Sequence, residues 1–342
     1  MDNTQFKDVS IIVVTYNNEA HINNCLNSIY NQFQGRFSFE VVIVDNSSRD
    51  NTVKLIKNNF KDVKLIKNDD NKGYGYASNI GVKYANGKYL IIMNPDTIVE
   101  KLFIENLIYP LTKNIRIITT PKVLIYNGNL INSCGIILHF TGLGFTRGYK
   151  QEKSQFNSIE TVTGIFGCCF ALKKEDFNLI GQFDSNIFLY GEDTELSWRS
   201  HIKNFKIVLV PKSILKHDYT LEVPPHKIYY LEKARYLILR KYLSLIDIIL
   251  LSPSLILAEI LTWGYALKFG KIGIYYKLIS IKDSLNLNSS KMTGNKKKLI
   301  ESLDAKIPTD QLTYNKFQQY GKKLINHLFL LNWEIYKYII KK

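Results

Sequence analysis

Cysteine is scarce in this chain of 342 residues, and its four copies form no pattern that carries chemistry. They are Cys25, Cys134, Cys168 and Cys169, and no pair has the CxxC spacing of zinc and redox motifs. A disulfide scaffold and a zinc module are therefore excluded as the basis of the fold. We expect four free, buried thiols in a reducing compartment.

The sequence also lacks an apolar core near its N-terminus, because Met1–Ser10 is polar. A secretory signal peptide is therefore not predicted, and we expect the main folded part to remain in the cytoplasm. Internal repeats and low-complexity segments are absent as well. The polar stretch Ser289–Lys298 predicts a loop.

Acidic residues are outnumbered, with 30 Asp and Glu against 45 Lys and Arg, which gives a net charge of +15. Residues 221–342 carry +11 of this, and the first 220 residues carry +4. Such a basic region faces an acidic partner, either nucleic acid or anionic lipid. Its many Ile, Leu, Tyr and Trp residues favour an anionic membrane surface, and no nucleic-acid reader motif is present, so we expect no nucleic acid partner.

Short apolar runs alternate with helical patterns over the first hundred residues. The predicted strands are Val9–Val14, Phe39–Val44, Val63–Ile66 and Tyr89–Met93, and the clearest helix between them is Tyr74–Ala85. Strands that are apolar throughout and alternate with helices predict an α/β fold, with a mostly parallel sheet covered on both faces. The middle region is less regular, with a strand predicted at Cys168–Leu172 and a helix at Asp193–His201.

The last third of the sequence has a pattern typical of helices. Ile228–Leu243 has a helical pattern, and Ile246–Leu267 is apolar and long enough to span a bilayer. Asp247 and Glu259 make a lone span costly. Three interpretations stay open: a membrane-embedded or interfacial helical hairpin, a true span, and a soluble helical subdomain. The tail Lys322–Lys342 again suits an interface.

Polar residues follow three of the predicted strands where each strand ends. Ligands of open parallel sheets bind beyond the carboxyl ends of the strands, so these positions predict a binding site. Each of these polar strand ends, taken alone, is also typical of turns and helix caps. Only the three together, in this order, point specifically to a binding site. The three ends are Thr15-Tyr16-Asn17, Asp45-Asn46-Ser47 and Asn94-Pro95-Asp96.

The ordered segments resemble a family 2 inverting glycosyltransferase with the GT-A fold, of the rhamnosyltransferase-like branch that builds bacterial or archaeal surface glycans. The resemblance covers Val9 to Tyr242. The absence of a GxGxxG motif after the first strand counts against a dinucleotide-dependent dehydrogenase. The matching segments are VSIIVVTYNN, FEVVIVDNSSRDNT, NKGYGYASNIGVKYANGKYLIIMNPDT, TGIFGCCFALKK and FLYGEDTELSWR.

The charge and the apolar runs of the last third predict a helical, basic, membrane-associated region over 225–342. The resemblance implies a nucleotide-sugar-binding half over residues 1–114 and an acceptor-binding half over 115–224. It implies transfer of a sugar from dTDP-rhamnose or a UDP-hexose to a glycan or lipid-linked acceptor, at the cytoplasmic face of the cell membrane. A catalytically inactive nucleotide-sugar-binding module and a nucleotidyltransferase on a similar fold are the alternatives. The oligomeric state stays open.

The same resemblance implies which residues hold the donor. Thr15, Tyr16 and Asn17 are expected to contact its base and ribose. Asp45 is expected to accept a hydrogen bond from the pyrimidine imide N–H. The other implied donor residues are Lys72, Gly75, Asn79, Asn94 and Asp96.

Asp96 and His217 are the implied ligands of Mg²⁺ or Mn²⁺, since a diphosphate leaving group needs a hard cation held by oxygen ligands. Asn94 stands where the family often has a first Asp of the motif, so the site has one negative charge fewer.

Asp193 is the implied general base, because direct displacement needs a carboxylate that accepts the acceptor hydroxyl proton. Its neighbour Glu192 is expected to contact the acceptor or support the site. Gly164, Trp198 and Arg235 are the expected acceptor-binding residues, with Arg235 directed at lipid-linked phosphate.

Overall fold

The computed structural model describes residues 7–32, 35–219, 221–287, 290–308 and 316–341. The chain divides into two compact units. The first unit comprises Met1–Ile136 and Thr146–Leu221, and the second comprises Ile137–Phe145 and Glu222–Lys342. The boundary between the units after residue 221 lies three residues before the domain boundary predicted at 224. The two predicted halves of the sugar-transfer domain, which meet at residue 114, share one sheet.

The described part of the chain contains twelve strands and eleven helices. The strands are β1 (Val9–Thr15), β2 (Phe39–Asp45), β3 (Lys64–Lys67), β4 (Tyr89–Met93), β5 (Thr97–Val99), β6 (Ile117–Ile125), β7 (Ile131–Ser133), β8 (Ile136–Leu138), β9 (Gly144–Thr146), β10 (Glu160–Val162), β11 (Cys169–Lys173) and β12 (Lys206–His217). The helices are α1 (Ile22–Tyr30), α2 (Thr52–Asn59), α3 (Tyr74–Tyr84), α4 (Phe103–Lys113), α5 (Lys174–Ile180), α6 (Glu192–Ile202), α7 (Pro225–Tyr242), α8 (Leu245–Leu267), α9 (Gly270–Leu285), α10 (Lys296–Ser302) and α11 (Lys316–Lys341).

The first unit is built on one mixed sheet in the order β10-β12-β6-β11-β4-β1-β2-β3, with β5 and β7 added on β12 and β6. β4, β1, β2 and β3 run parallel, as do β6 and β12, while β11 is antiparallel to both of its neighbours. β1 and β4 are buried along their whole length, which explains their continuous apolar sequence. The predicted α/β class with a mostly parallel sheet is confirmed.

The predicted strands and helices lie within one to three residues of the observed ones, with one exception. The segment predicted as a loop at Ser289–Lys298 contains the start of α10 at Lys296. The Asn295 side chain accepts a hydrogen bond from the Lys298 backbone N–H and caps this helix. The loop prediction is therefore wrong from Lys296 onward, and Ser289 lies outside the described residues.

All four thiols are free and buried, as expected. Burial raises the pKa of Cys25 to about 12 and that of Cys134 to about 11, and it also raises the pKa values of Cys168 and Cys169. A protonated thiol is a poor nucleophile and metal ligand, so these cysteines serve packing.

The second unit is helical, and α8 packs against α9 and α11 within it. Ser244 and Asp247 form a capping box at the start of α8. Asp247 also pairs with Lys296 and accepts a hydrogen bond from the Tyr336 hydroxyl at 2.8 Å. The acidic residue at the start of the apolar helix is therefore fully partnered inside the protein.

The remaining surface of α8 is apolar and exposed. Among the described residues, α8 is the one helix long and apolar enough to cross a membrane by length and composition, and only 22% of its apolar window is buried. Its exposed apolar side chains include Leu245, Ile246, Ile249, Ile256, Ile260 and Leu267. An apolar surface of this extent is typical of a membrane or protein contact.

Candidate active site

The ends of three neighbouring strands form one polar edge of the sheet. Thr15 at the end of β1 lies opposite Asp45 at the end of β2, and Val13 lies opposite Met93 at the end of β4. β11 begins opposite Met93, so the loop that precedes it reaches the same edge. The predicted site residues that follow β1, β2 and β4 are thereby brought together.

The loops after β1 and β2 are tied to each other by hydrogen bonds. The backbone N–H of Asn17 donates to Ser48 Oγ at 2.9 Å, and the Arg49 N–H donates to Asn17 Oδ1 at 2.8 Å. The Asn18 N–H donates to Thr52 Oγ1 at 2.7 Å. Asn17 therefore orders this edge through its side chain, and its contact with the donor stays a prediction.

Thr15 and Asp45 are both fully buried at this edge. Thr15 Oγ1 donates to Asp45 Oδ1 at 3.1 Å, and the Ser48 N–H donates to Asp45 Oδ2 at 3.1 Å. Because both carboxylate oxygens have partners and no exposed surface, Asp45 shapes the loop in this structure, and its contact with a pyrimidine stays a prediction. Tyr16, which is 45% exposed, and Asn17, which is also exposed, are the predicted base- and ribose-contacting residues that the structure leaves accessible.

The glycine-rich segment before α3 serves close packing. Gly73 has φ +91°, and a Cβ there would lie 2.1 Å from the Phe188 carbonyl oxygen. A Cβ on Gly75 would lie 2.9 Å from Phe183 Cβ. The Asn79 amide both donates to and accepts from the Phe183 backbone at 3.0 Å. Gly75 and Asn79 therefore have packing and hydrogen-bonding roles within the protein, and their donor contacts stay predictions.

Lys72 remains accessible, with its side chain 49% exposed. Its Nζ lies 3.5 Å from Asp70 Oδ1 and 5.4 Å from the centroid of the Tyr76 ring. The pair with Asp70 is exposed, so it holds the lysine only weakly. Lys72 is free to meet a negative ligand.

Asp96 and His217 form a pair of unpartnered polar atoms. His217 on β12 lies opposite Thr97 on β5, which places the imidazole beside Asp96. Asp96 Oδ1 and His217 Nε2 are 3.3 Å apart, both atoms are buried, and neither has a hydrogen-bond partner. Buried polar atoms without partners are costly, so this pair fits an electropositive ion bound between them.

The orientation of His217 is fixed by residues that the sequence did not indicate. Its Nδ1 lies 3.3 Å from Asn132 Oδ1, and the Asn132 amide donates to the Tyr219 carbonyl at 3.2 Å. The His217 ring stacks on the Tyr219 ring at 5.2 Å between centroids. A donor Nδ1–H leaves a lone pair on Nε2, 3.3 Å from Asp96 Oδ1, and a histidine held in this way through its other ring nitrogen is suited to ligate a metal.

The protein offers two ligands of this kind at the site. The described ranges contain no group of three or more His, Cys, Asp or Glu residues that could hold a metal ion. Mg²⁺ and Mn²⁺ sites for nucleotides commonly use one or two protein ligands together with substrate phosphates and water. Asn94 is half-buried at the same strand end, and its backbone N–H donates to the Cys168 carbonyl at 2.8 Å. The residues present therefore fit a divalent cation that a diphosphate completes.

Asp193 lies in the first turn of α6, held against the loop before β11. Asp193 Oδ2 accepts the Gly167 N–H at 2.9 Å, and Oδ1 accepts the Thr194 N–H at 2.6 Å. A Cβ on Gly167 would lie 3.0 Å from Asp193 Oδ2, so only glycine lets the carboxylate approach this closely. These bonds fix the direction of the carboxylate.

Glu192 is buried beside Asp193, and its Oε2 has no hydrogen-bond partner. Burial and the charge of Asp193 raise the pKa of Glu192 to about 8. Burial also raises the pKa of Asp193, against the lowering effect of the bonds from Gly167 and Thr194. Because Asp193 accepts several hydrogen bonds and Glu192 Oε2 accepts none, Glu192 is the member of the pair that retains a proton near neutrality.

The protonation of Glu192 has a measurable effect on stability. Between pH 4.5, its ordinary pKa, and about 8, the unfolded chain releases the proton and the folded chain keeps it. The free energy of unfolding therefore falls as pH rises through this window and levels off above it. We expect the Glu192→Gln variant to gain stability relative to the wild type from about pH 5 to about pH 8. Urea unfolding of both proteins across this range checks it, and parallel pH curves would contradict it.

The Asp96–His217 pair and the Glu192–Asp193 pair lie near the same residues. The Tyr74 hydroxyl donates to the Gly167 carbonyl at 3.1 Å, and Gly167 in turn holds Asp193. Burial, together with the charges of Asp193 and Asp96, raises the pKa of Tyr219. Asp96 and Asp193 therefore lie on the two sides of one site, around Tyr219 and the start of β11.

Three predicted acceptor residues are placed differently. Trp198 has no exposed surface, so it packs in the core of the first unit. Gly164 is buried, and its carbonyl accepts the Ile136 N–H at 2.9 Å. Arg235 belongs to the second unit, where it is 2% exposed and paired with two glutamates, so its charge is not available to a phosphate. In this structure neither Trp198 nor Arg235 presents its side chain to an acceptor, and the acceptor contacts of both stay predictions.

A mixed, mostly parallel sheet with this carboxylate-bearing edge defines the GT-A class of fold. The sheet and its helices superpose on a crystal structure of GalNAc-T7 with UDP, GalNAc and Mn²⁺, at a TM-score of 0.62 and 19% identity over 87% of this chain and 57% of that one. Residues 10–181, half of the chain, match the model of Glycosyl transferase family 2. The chain belongs to this family, whereas the rhamnosyltransferase-like branch stays a prediction.

A second solved structure covers nearly the whole chain. The mannosyltransferase PcManGT from Pyrobaculum calidifontis, in complex with GDP-Man and Mn²⁺, matches 99% of this chain and 89% of its own at a TM-score of 0.53 and 14% identity. At such identities the likeness shows the fold alone.

Curated relatives match about three fifths of the chain. A dolichyl N-acetyl-alpha-D-glucosaminyl phosphate 3-beta-D-2,3-diacetamido-2,3-dideoxy-beta-D-glucuronosyltransferase of Methanococcus voltae is 28% identical over 226 residues, 62% of this chain and 67% of the relative. The low-salt glycan biosynthesis hexosyltransferase Agl10 of Haloferax volcanii is 27% identical over 213 residues, 60% of this chain and 65% of the relative. The match spans only 38% of polypeptide N-acetylgalactosaminyltransferase 11 of Xenopus tropicalis.

Proposed function

We propose that this protein is an inverting glycosyltransferase that moves a hexosyl or rhamnosyl group from a nucleotide-diphosphate sugar to an acceptor hydroxyl. The proposal rests on one observation: a candidate metal site and a candidate general base lie at the same polar edge of the sheet. Asp96 and His217 offer two unpartnered buried atoms 3.3 Å apart, and Asp193 offers a fixed carboxylate beside the same loop. In this proposal, residues 1–114 bind the donor and residues 115–224 bind the acceptor.

The donor would lie along the polar edge, with its pyrimidine against Tyr16, the exposed aromatic residue after β1. A UDP-hexose and dTDP-rhamnose offer the same imide edge, and both are within the proposal. The family match, together with the names of the Haloferax and Methanococcus relatives, supports a nucleotide-sugar donor and a role in glycan synthesis. Lys72 supplies an accessible positive charge for the diphosphate.

The residues divide the chemistry between them. Asp96 and His217 would hold Mg²⁺ or Mn²⁺, which when bound neutralises charge on the leaving diphosphate. Asp193, directed by Gly167 and Thr194, accepts the proton of the acceptor hydroxyl. Glu192 keeps its own proton near neutrality and so adds no second negative charge beside the base.

The acceptor in this proposal is a glycan or a lipid-linked saccharide at the cytoplasmic face of the membrane. The Methanococcus relative is named for a dolichyl-phosphate-linked substrate, which supports a lipid-linked acceptor. The basic, helical region over residues 225–342 would hold the protein on anionic lipid, since it carries most of the net charge and the exposed face of α8.

A donor-hydrolysis screen tests the transferase proposal. Purified full-length protein is incubated with nucleotide sugars in the presence and absence of Mn²⁺, and release of the nucleoside diphosphate is measured. We expect slow hydrolysis of a uridine or thymidine diphosphate sugar that depends on Mn²⁺. Binding of nucleotide sugars without any hydrolysis would instead indicate an inactive binding module. Release of pyrophosphate from a nucleoside triphosphate would indicate a nucleotidyltransferase.

Membrane attachment through α8 predicts the effect of two neutral substitutions. Ile246 and Ile249 are 63% and 61% exposed, and we expect the double variant Ile246→Gln/Ile249→Gln to bind anionic vesicles at least about tenfold more weakly. Co-sedimentation with phosphatidylglycerol vesicles measures this. The matched control is Ile115→Gln/Ile159→Gln in the first unit, at 80% and 66% exposure. Equal binding by the two double variants would remove α8 from the attachment surface.

A further inference from the structure

A groove runs between α7 and α8 in the second unit. Its volume is about 660 Å³, within the range of roughly 300–1,000 Å³ of small-molecule sites. Its surface is almost wholly apolar, and its walls include Leu239, Leu255, Ile260, Trp263 and Leu267. A groove of this composition binds hydrocarbon more readily than it binds a sugar or a nucleotide.

One charged side chain in the groove wall lacks a partner at one atom. Arg235 is 2% exposed, and its Nε and Nη2 donate to the Glu232 carboxylate at 3.1 and 2.7 Å. Its Nη2 also donates to Glu259. Its Nη1 is buried and has no hydrogen-bond partner. A buried donor of this kind calls for an acceptor atom that the protein itself does not supply.

The charges around Arg235 are already balanced. Lys277 is fully buried and contacts both Glu232 and Glu259, so two cations face two carboxylates. The Tyr236 hydroxyl donates to Glu259 Oε2 at 2.9 Å. With no surplus positive charge, and with Glu259 in the groove wall, a phosphate would meet repulsion. An uncharged oxygen satisfies Nη1 without that cost.

The groove opens along the exposed apolar face of α8. Ile256 and Ile260 line the groove and are nevertheless 60% and 62% exposed. A hydrocarbon chain in a bilayer that contacts this face therefore reaches the groove without crossing a polar surface.

We propose that the groove binds one hydrocarbon chain of a membrane glycerolipid, whose uncharged glycerol-linkage oxygen accepts a hydrogen bond from Arg235 Nη1. The site lies within the second unit, so it needs the proposed membrane attachment but not the transferase chemistry. The ligand class follows from the apolar walls, the balanced charges and the single unpartnered N–H.

Photo-crosslinking of the full-length protein tests the site. The probe is phosphatidylcholine with a diazirine in one acyl chain, in phosphatidylcholine vesicles with and without phosphatidylglycerol, and labelled residues are mapped by peptide mass spectrometry. We expect labels on Leu239 and Leu255 in the groove, as well as on Ile246 and Ile249 outside it. Labelling of the groove per bound protein should not depend on phosphatidylglycerol.

A groove-filling variant separates the groove from the membrane surface. A Cβ on Gly264, which lines the groove, meets no atom within 4 Å, so Gly264→Leu adds bulk there without a backbone clash. We expect groove labelling to fall about tenfold, since excluding two methylene groups costs about that factor. Labels on Ile246 and Ile249 should persist. Gly321→Leu on α11, where a Cβ also has open space, is the matched control and should label like the wild type.

Each other result overturns the assignment. Groove labels that survive in Gly264→Leu, or labels confined to Ile246 and Ile249, would show that the groove holds no chain while membrane attachment stands. Absence of all labels would overturn the attachment as well. Displacement of the probe by equimolar polyprenyl phosphate, or labelling that requires phosphatidylglycerol, would assign the groove to a lipid with a net negative headgroup instead.

Discussion

The Asp193→Asn variant is expected to transfer sugar about 10²–10⁴-fold more slowly than the wild type while binding donor with nearly unchanged affinity. Asparagine has the same shape, and its carbonyl oxygen can still accept a hydrogen bond from Gly167 or Thr194, but its amide cannot accept the acceptor proton. The change also removes a buried negative charge next to Glu192, so folding should not suffer. Turnover and donor affinity, measured separately on purified protein, give the comparison.

The pH profile distinguishes a base from a structural residue at this position. Transfer by the wild type should rise with pH as Asp193 loses its proton, since burial raises its pKa above the ordinary value. The residual activity of Asp193→Asn should lack this rise. Asp62→Asn, an exposed substitution in the first unit, is the matched control and should behave as the wild type. Wild-type turnover in Asp193→Asn would remove this residue from the mechanism.

The sheet and its polar edge follow from local sequence alone. β1 and β4 are buried throughout, and a strand without an exposed face is apolar at nearly every position. Ser10 within β1 is an exception, and its hydroxyl donates to Glu40. The polar residues after the two strands then stand out at the end of each run. This is why Asp96 could be predicted at a ligand-facing position without any knowledge of the strand order.

The roles of the neighbouring polar residues depend on contacts that no local pattern contains. Asn17 and Asn79 have the residue type and position of ligand contacts, yet their side chains bond Arg49 and Phe183, which are 32 and 104 residues away. An amide at a strand end is equally suited to a ligand and to a distant backbone. Only the folded chain decides between the two.

Asn132 was missed for the same reason. It lies in the short strand β7, without a motif around it, and reaches His217 from 85 residues away. The partners of Asp247 and Glu259 were also invisible in sequence, and the acidic residues therefore argued against a membrane helix. In the structure each carboxylate is paired inside the second unit, which leaves the opposite face of α8 apolar and exposed.

Donor binding is expected to weaken at least about a hundredfold when EDTA removes divalent cations, because a bound cation supplies several kcal/mol of charge stabilisation to the diphosphate. Asp96→Asn keeps the shape of the side chain but removes the charge that faces His217 Nε2. In Mn²⁺ this variant should bind donor as weakly as the wild type does in EDTA, and EDTA should then have little further effect. Titration calorimetry of both proteins in both conditions measures these four affinities for each of UDP and dTDP.

If EDTA and Asp96→Asn together weaken donor binding no more than either does alone, Asp96 is a metal ligand. The two changes then act on the same contact, because one removes the cation and the other removes its ligand. Asn132→Leu extends the test to the residue that orients His217, and it should lower Mn²⁺ affinity by about 10–100-fold while leaving Asp96 in place. Asp69→Asn, an exposed carboxylate in the loop after β3, is the matched control and should change neither affinity. If donor affinity stays the same in EDTA, the diphosphate is neutralised by basic side chains, and Lys72 becomes the first to replace. The unpartnered atoms of Asp96 and His217 would then be explained by a direct contact with the donor.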